Sequence, residues 1–433
     1  MDYTPESLRV IIPVGGMANR LMPLTAETSK ACVRLVCRPI IEISIQALAK
    51  QGVKHFIFGV KGYQNYKSLY DYFQNGTGYS ASTGICPRIH INYQPNEEDY
   101  GSADSARINM LYYGIQDPVF GVQGDNIFDI NLKSLLEFHK EKGGIATICL
   151  KRVEDVKGYG VAEVDENMRI LRFVEKPKKE EAPSNLANTG LYLFDPEIRK
   201  VIDSEEIRKM TVENKSLDFG YDFIPYLIRS GYEVYGYEIE RGWYDIGSPE
   251  RYLDAMYDIL MGRLECLSDL PGRVSHDKRL WIQGESPESI ARKNRILGMT
   301  RRGEIRLEEP VLIGRHCQIE AGVRISNSSI DNFVKIGRGA IIEDSAIMDR
   351  VNIGEHAEIR RSIIGRHAVI ESTAAKPTSL SGVSVVGDDA RISPGCILEK
   401  ARIWPHVKLA EGSYTGETHS DETERGSEGL DHR

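Results

Sequence analysis

The chain has 433 residues, of which 41% are hydrophobic and 27% are charged, and its net charge is −8. This balance argues against a general nucleic-acid or anionic-membrane binder, since either would need a net basic surface. No apolar run approaches the roughly 18 residues of a membrane span, and we expect no secretory leader. The seven cysteines are scattered without a CxxC pair, which indicates neither a zinc site nor a disulfide framework. A reducing, cytoplasmic location is the expectation.

The first 260 residues alternate strand-like and helix-like stretches. Strand patterns occupy residues 8–14, 53–60, 89–93, 119–123 and 145–150, and helical patterns occupy 39–50, 103–113 and 131–142. This order predicts an α/β domain with a mostly parallel sheet and helices on both faces. Ligands of such sheets bind beyond the carboxyl ends of the strands, where Gly15-Gly16 and Gly124-Asp125 are expected.

A different period begins after residue 306. Ile313, Ile319 and Ile325 are six residues apart, and the pattern returns at Ile330 and continues to Leu409. A hexapeptide repeat predicts a parallel β-helix, in which one aliphatic side chain from each of three faces enters the interior. Glycines follow an aliphatic residue at several coils, and we expect them to supply the corner turns; they are Gly314, Gly337, Gly354, Gly365 and Gly387.

These patterns give a set of predicted domain bounds. We expect the α/β domain over residues 1–261 and a connector with some helix over 262–306. The β-helix is predicted over 307–412, and a polar, acidic and disordered tail over 413–433.

The strongest local feature is the segment GGMANRLMPLTAETSK at residues 15–30. A glycine pair after a buried strand lets backbone N–H groups approach a polyphosphate closely, and Arg20 and Lys30 supply cations. The segment is not a Walker A loop, because it has no GxxxxGK[ST]. Considered alone, it is equally compatible with a structural turn.

This segment resembles the GGxGTRLxPLTxxxPK signature of the sugar-1-phosphate nucleotidyltransferases, or NDP-sugar pyrophosphorylases. It differs from that signature at Ala18, Asn19 and Ser29. In that family the loop wraps the nucleotide phosphates, and the resemblance implies that Arg20 and Lys30 bind the departing pyrophosphate. It also implies a Rossmann-like nucleotidyltransferase domain, followed by a left-handed β-helix of the kind several members carry. Ala18 adds a methyl group that would weaken phosphate binding if this position needs a positive φ or touches a phosphate oxygen.

Further family motifs follow in the same order along the chain. Tyr100-Gly101-Ser102-Ala103 resembles an LGTA turn that lies against the base, and Gln94 falls near a position that contacts the base. The GD motif at Gly124-Asp125 and the WxDIGTPE motif at 243–250 imply that Asp125 and Asp245 hold Mg²⁺. Mg²⁺ prefers one or two protein carboxylates together with substrate phosphates. The nucleotide-binding residues that the resemblance implies are Val14, Gly15, Gly16, Gln94, Gly101 and Ser102.

Three more motifs imply a sugar-phosphate site. They are YGV at 159–161, EKP at 175–177 and NxGxY at 188–192, and they imply roles for Gly160, Glu175, Lys176 and Asn188. Asp218 could contact the sugar or cap a helix, whereas Trp243 is expected to serve packing.

The resemblance implies transfer of a nucleotidyl group from an NTP to a sugar-1-phosphate, with Arg20, Lys30 and Asp125 as the catalytic residues. Mannose-1-phosphate with GTP is favoured, because the segment at 402–405 is similar to mannose-1-phosphate guanylyltransferases. Glucose-1-phosphate with UTP, dTTP or ATP remains an alternative.

Two other functions stay open. One is a non-catalytic regulatory subunit, which Ala18 motivates. The other is a bifunctional enzyme whose β-helix transfers acetyl groups, which the turn histidines His316, His356 and His367 motivate. Flat β-helix faces commonly stack, so we expect a homo-oligomer with neither nucleic-acid nor membrane partners.

Overall fold

A computed structural model describes residues 3–15, 19–95, 98–240, 242–416 and 418–419. The chain divides into two compact units. The first contains the described residues of Met1–Gly16 and Ile40–Asp245, and the second contains those of Met17–Pro39 and Ile246–Arg433. The units do not follow chain order, because the segment after the first strand belongs with the C-terminal part. No helix in the described part of the chain is both long enough and apolar enough to cross a membrane.

The described residues of the first unit and of the segment inserted in it form thirteen short strands. In chain order these are β1 (Arg9–Val14), β2 (Arg34–Leu35), β3 (Arg38–Pro39), β4 (His55–Val60), β5 (His90–Tyr93), β6 (Val119–Val122), β7 (Asn126–Phe128), β8 (Ala146–Arg152), β9 (Val161–Val164), β10 (Ile170–Val174), β11 (Leu186–Phe194), β12 (Val234–Glu238) and β13 (Trp243–Asp245).

The described α-helices lie between these strands and ahead of the repeat region. They are α1 (Ile40–Ala49), α2 (Tyr63–Phe73), α3 (Thr77–Thr83), α4 (Ser102–Tyr112), α5 (Leu132–Lys142), α6 (Ile198–Ile202), α7 (Glu205–Asn214), α8 (Ile224–Arg229), α9 (Pro249–Leu260) and α10 (Pro287–Arg301). Short 3-10 turns occur at Asn19–Leu21, Lys30–Cys32, Lys179–Glu181 and Glu265–Leu267, and a π-helical turn occurs at Phe219–Phe223.

The main sheet of the first unit has the strand order β10-β9-β11-β6-β1-β4-β5; in addition, β8 pairs with β11, and β12 pairs with β8. Strands β6, β1, β4 and β5 are parallel, which is the predicted Rossmann-like arrangement. Strand β11 instead runs antiparallel to β6, β8 and β9, so the sheet is mixed. Because β1 and β4 are parallel, their carboxyl ends meet at one edge, and Lys61 N donates to Val14 O at 3.0 Å.

Helix ends follow local signals in the sequence. Asn131 precedes α5, and its side-chain oxygen accepts a hydrogen bond from Ser134 N at 3.1 Å. The helix stops at Gly143, whose φ of 67° places it in the left-handed region that favours glycine. The predicted helix over 131–142 is therefore confirmed.

The second unit contains the predicted parallel β-helix. Its strands are β14 (Leu280–Ile282), β15 (Arg306–Ile313), β16 (Gln318–Ile319), β17 (Arg324–Ile330), β18 (Lys335–Ile336), β19 (Ile341–Glu343), β20 (Ala346–Ile347), β21 (Asn352–Ile353), β22 (Glu358–Arg360), β23 (Ile363–Ile364), β24 (Val369–Ile370), β25 (Ser379–Ser381), β26 (Val385–Val386), β27 (Arg391–Ile392), β28 (Ile397–Glu399), β29 (Arg402–Ile403), β30 (Lys408–Leu409), β31 (Ser413–Thr415) and β32 (Thr418–His419). Equivalent aliphatic side chains of successive coils stack in register inside it, as Ile330, Ile347 and Ile364 do.

The repeat glycines have a different role from the one expected. None of the five has a positive φ, whereas the corners carry His316, His356 and His367 with φ of 59°, 55° and 60°. A Cβ added at Gly314 would lie 2.6 Å from the carbonyl carbon of Asp331 in the next coil. The expectation that these glycines supply the corner turns is wrong. They allow adjacent coils to approach closely.

The connector and the tail both contribute to the β-helix. Strand β14 pairs with β15, and Ile296 and Met299 of α10 join the β-helix core. Strands β31 and β32 extend the ladder at the other end, where Trp404 N donates to His419 O at 2.8 Å. The prediction of a disordered tail from residue 413 is wrong for these two strands, because their backbone groups pair with the preceding coil. Residues 420–433 lie outside the described part, and the remaining domain bounds stay a prediction.

Candidate functional site

At the sheet edge where β1 and β4 end, Gly15 follows β1 and lies beside Lys61, which follows β4. A Cβ added at Gly15 would lie 2.8 Å from the Cβ of Lys61, so the glycine permits this approach. Lys61 Nζ donates to Asp99 O at 2.8 Å and lies 3.9 Å from Asp99 Oδ1. Sequence reasoning missed Lys61, although its place directly after a buried strand is the available signal. Val14 is buried next to it. Gly16 and Ala18 lie outside the described residues.

Gln94 belongs to a buried polar network. Its Oε1 accepts hydrogen bonds from Ser105 Oγ at 2.6 Å and Asn109 Nδ2 at 3.2 Å, and its Nε2 donates to Asp99 Oδ2 at 3.3 Å. Burial raises the pKa of Asp99, while hydrogen bonds from Gln94 and Gly101 oppose the rise. The network fixes Gln94 from inside the protein, and its contact with a base stays a proposal.

Gly101 lies in a turn where a residue with a side chain would not fit. Its φ is 135°, and a Cβ there would lie 2.9 Å from Leu217 O. The same Leu217 carbonyl accepts from Ala103 N at 3.0 Å and Asp104 N at 3.1 Å, at the start of α4. The chain before α4 is thereby held against the backbone at residue 217.

Asp218 joins this turn to the next part of the site. Ser102 Oγ donates to Asp218 Oδ2 at 2.7 Å, and Phe219 N donates to Ser102 Oγ at 3.0 Å. Asp218 Oδ1 accepts from Gly220 N at 2.9 Å and so caps the π-helical turn. Of the two roles considered for Asp218, capping is the one that the structure displays.

Glu175 occupies a niche between two glycines. A Cβ added at either Gly160 or Gly220 would lie 2.4 Å from Glu175 Oε2. That oxygen is buried and has no hydrogen-bond partner among the described residues. Burial raises the pKa of Glu175, and the nearby charge of Lys176 opposes the rise. An unpaired buried carboxylate oxygen is costly, so the niche is suited to a ligand that donates a hydrogen bond.

Lys176 stands beside this carboxylate in a left-handed conformation. Its φ is 47°, its backbone N donates to Tyr159 O at 3.1 Å, and its Nζ lies 3.5 Å from Glu175 Oε1. Desolvation lowers the pKa of Lys176, but attraction to Glu175 and Tyr221 outweighs it and raises the pKa overall. Lys176 is therefore a charged group next to the Glu175 niche.

The fourth residue predicted for the sugar phosphate lies on the adjoining strand. Asn188 N donates to Gly160 O at 2.8 Å, and its Nδ2 donates to Tyr192 Oη at 2.8 Å. Gly160, Glu175, Lys176 and Asn188 are thus brought together.

Asp125 and Asp245 meet at a two-stranded sheet. Strands β7 and β13 are antiparallel with Asp245 opposite Asn126, so Asp125 is the neighbour of that pair. Asn126 Nδ2 and Trp243 Nε1 both donate to Thr189 O, at 2.7 and 3.0 Å, which anchors the two-stranded sheet on β11. The ring of Trp243 packs against that of Tyr159, with 5.2 Å between the ring centroids.

The two carboxylate residues at this two-stranded sheet, Asp125 and Asp245, are of the type that binds a hard cation. Within the described ranges no group of three or more His, Cys, Asp or Glu side chains could hold a metal ion. A pair of carboxylates fits Mg²⁺, which keeps water and substrate phosphate oxygens as its other ligands.

Arg20 and Lys30 belong to the second unit. Arg20 is exposed in the turn Asn19–Leu21, and its carbonyl accepts a hydrogen bond from Arg402 Nη1 at 3.2 Å. Lys30 is half-buried and begins the turn Lys30–Cys32.

Comparison with protein families defines the class of this protein. Residues 9–262 match the family described as Nucleotidyl transferase, which is more than half of the chain. The chain therefore belongs to the nucleotidyl transferase family and is a nucleotidyltransferase enzyme. Residues 307–418 match the family described as GMPPB C-terminal domain.

Curated relatives are similar over nearly their whole lengths. A UTP–glucose-1-phosphate uridylyltransferase of Synechocystis is 28% identical, over 89% of this chain and 94% of the relative. Mannose-1-phosphate guanylyltransferase 1 of Arabidopsis thaliana is 26% identical, over 93% and 97% respectively. A mannose-1-phosphate guanyltransferase of Pichia angusta is 28% identical, over 94% and 99%.

Proposed function

We propose that this enzyme transfers a nucleotidyl group from an NTP to a sugar-1-phosphate, giving an NDP-sugar and pyrophosphate. The observation that carries the proposal is the Glu175 niche. A buried carboxylate oxygen without a partner suits a sugar hydroxyl, and the charged Lys176 beside it suits the phosphate of the same substrate.

The reaction needs positioning and charge neutralisation more than covalent catalysis. A phosphate oxygen of the sugar-1-phosphate attacks the α-phosphorus, and the bond from that phosphorus to the oxygen bridging the β-phosphate breaks. Pyrophosphate leaves with the bonding electron pair. Because the nucleophile is already an anion, no strong general base is required. Lys176 orients the sugar phosphate, and Arg20 and Lys30 bind the pyrophosphate.

Asp125 and Asp245 are the residues that would hold Mg²⁺. The ion supplies charge neutralisation for the phosphate oxygens when it is bound. Gly101 and Ser102 would lie against the base, while Val14, Gly15 and Gly16 would line the phosphates.

Mannose-1-phosphate and GTP are the substrates we favour. Relatives from Arabidopsis thaliana and Pichia angusta carry that activity in their names, and the C-terminal match extends over the β-helix. The Synechocystis relative supports glucose-1-phosphate with UTP as the alternative. Glucose-1-phosphate with dTTP or ATP is a further alternative, and the substrate panel described next includes both pairs.

Pyrophosphate release by the purified chain tests the proposal. The assay uses Mg²⁺, the ribonucleoside triphosphates and dTTP, and a panel of hexose-1-phosphates, with EDTA as the metal control. We expect metal-dependent release with one pair above the others. No release with any pair would favour the regulatory-subunit alternative, and free CoA formed from acetyl-CoA and an amino-sugar phosphate would favour the bifunctional one.

A further inference from the structure

One outer face of the β-helix is covered, while another is open to solvent. Along the ladder β17-β20-β23-β26, the outward positions are Ser329, Ala346, Ile363 and Val385, and none is more than 4% exposed. On the ladder that begins at β16, the equivalent positions are polar and exposed at Gln318, Lys335, Asn352, Arg391 and Lys408. Side chains that point away from the interior are buried only where something packs on them.

The segment 19–39, here called the strap, contacts this covered face at both ends. Near its C-terminal end Arg34 forms an ion pair with Asp331, with Nη2 2.9 Å from Oδ1. Cys37 Sγ lies 3.6 Å from Ile330 O in the same coil. At its other end the strap meets the coil that contains β29, which follows β26 in the ladder. The strap therefore reaches the coil of Ile330 with one end and the coil of Arg402 with the other, and helix α9 also packs against β15 and β17.

Arg402 interrupts the run of small and aliphatic residues on that ladder. It follows Val385 in register, and its Nη1 donates to the carbonyls of Arg20 at 3.2 Å and Met22 at 2.6 Å. A second contact lies close by, since His406 Nε2 is 2.8 Å from Glu27 Oε1. Two hydrogen bonds from one charged donor restrain the backbone of a 3-10 turn strongly, because its carbonyls have few partners within the turn.

We propose that Arg402 is a positioning residue that fixes the backbone at Arg20, so that the β-helix presets the strap for nucleotide phosphates. Arg402 acts on the backbone carbonyls of Arg20 and Met22, directly after the Arg20 side chain, and does not touch the nucleotide itself. The role of Arg20 in this inference rests on the proposed function. The contact between the β-helix and the strap rests on the hydrogen bonds alone.

The test compares Arg402→Met with Arg402→Lys and with Arg391→Met in the full chain. Lysine keeps a charged donor, and Arg391 is an arginine of the open face whose side chain is 56% exposed. Hydrogen–deuterium exchange is measured on peptides covering residues 19–30, and the KM of each substrate is measured separately. We expect Arg402→Met to speed exchange in the strap and to raise the KM for the NTP about tenfold. The KM for the sugar-1-phosphate and the melting temperature stay close to those of the wild type. Arg402→Lys recovers most of the effect, and Arg391→Met has none.

Unchanged exchange in Arg402→Met would overturn the inference. So would faster exchange with both KM values raised equally, because that pattern indicates general loosening. An inactive wild type would count against the proposed function instead, and the exchange comparison would still decide whether Arg402 holds the strap.

Discussion

Glu175 is the residue whose surroundings say most about a ligand. Its Oε2 is buried and has no hydrogen-bond partner in the part of the chain that the structure describes, and burial raises the pKa of the carboxyl group. Glu175→Gln keeps the shape and removes the charge, so we expect the KM for the sugar-1-phosphate to rise about tenfold or more. The free energy of unfolding should stay the same or increase, since a desolvated carboxylate is removed. Steady-state kinetics and urea denaturation measure the two effects.

The matched control for Glu175 is Glu163→Gln. Glu163 lies on the nearby strand β9 and is exposed, so the same substitution there should change neither quantity. Equal effects of the two substitutions would contradict a ligand role for the niche.

Asp125 and Asp245 are expected to act as a pair. The antiparallel pairing of β7 and β13 places both residues at one end of this two-stranded sheet. Asp125→Asn and Asp245→Asn should each lower turnover about a hundredfold or more and raise the Mg²⁺ concentration needed for half activity. The double variant should lose little more than either single variant, because one shared ion cannot be lost twice. Melting curves close to that of the wild type are expected, and a large loss of stability would show that the carboxylates are structural.

At the scale of elements, the start of α4 depends on one glycine. Gly101 has a φ of 135°, and its added Cβ would lie 2.9 Å from Leu217 O. Gly101→Ala should lower the free energy of unfolding by about 2–3 kcal/mol, because it adds a backbone clash to the strained φ. Urea denaturation measures this loss.

Gly114, which follows the same helix, serves as the control that separates the cost of the backbone clash from the cost of the positive φ. Its φ is 58°, and an added Cβ would meet nothing within 4 Å. Gly114→Ala should cost only about 1 kcal/mol, from the left-handed backbone alone. If both substitutions cost the same, the contact with the backbone at residue 217 contributes nothing.

The packing of α5 predicts a pH dependence of stability. His139 is buried, its Nδ1 lies 2.8 Å from Thr147 Oγ1, and burial lowers its pKa from 6.5 to about 4. Between these two pH values the unfolded chain binds a proton that the folded chain does not. The free energy of unfolding should therefore fall as pH drops from 6.5 towards 4, by about 3 kcal/mol at most, and should be restored fully above 6.5.

Chemical denaturation across that pH range checks the effect of His139. His139→Gln should flatten the slope, while His276→Gln, at an exposed loop position, should leave it unchanged. Parallel profiles for the wild type and His139→Gln would exclude His139 as the cause.

At the scale of the whole molecule, the open faces of the β-helix predict self-association. Ile397 is 52% exposed at an outward position of β28, and Phe333 is 42% exposed at a corner. Light scattering of the full chain should give a mass of more than one chain, and Ile397→Glu should lower it if this face is the contact. A monomer at micromolar concentration would contradict the prediction of a homo-oligomer.

Much of the fold follows from local patterns in the sequence. The helix predicted over 103–113 is α4 (Ser102–Tyr112), and the strand predicted over 119–123 is β6 (Val119–Val122). Such elements are predictable because their hydrophobic period and their capping residues are local. The direction of β11 is not local, since an apolar strand has the same pattern whether it is parallel or antiparallel.

The candidate site likewise contains residues that the sequence predicted and residues that it missed. The resemblance pointed to Gly160, Glu175, Lys176 and Asn188, and these residues lie together. Lys61 and Asp99 were missed because neither residue is part of a motif, although Asp99 directly precedes the turn at 100–103. Their convergence depends on the parallel pairing of β4 and β5, because Lys61 directly follows β4 and Asp99 comes after β5.

The sequence by itself determined the alternation of strands and helices and the hexapeptide repeat, because hydrophobic periodicity is a local property of consecutive residues. It also determined the family, because the motifs occur in order. Only the tertiary structure decided that the strap belongs with the β-helix, that Arg402 donates hydrogen bonds to the backbone at Arg20, and that the repeat glycines let adjacent coils approach closely. These features depend on contacts between residues up to 382 positions apart, and no local pattern encodes such contacts.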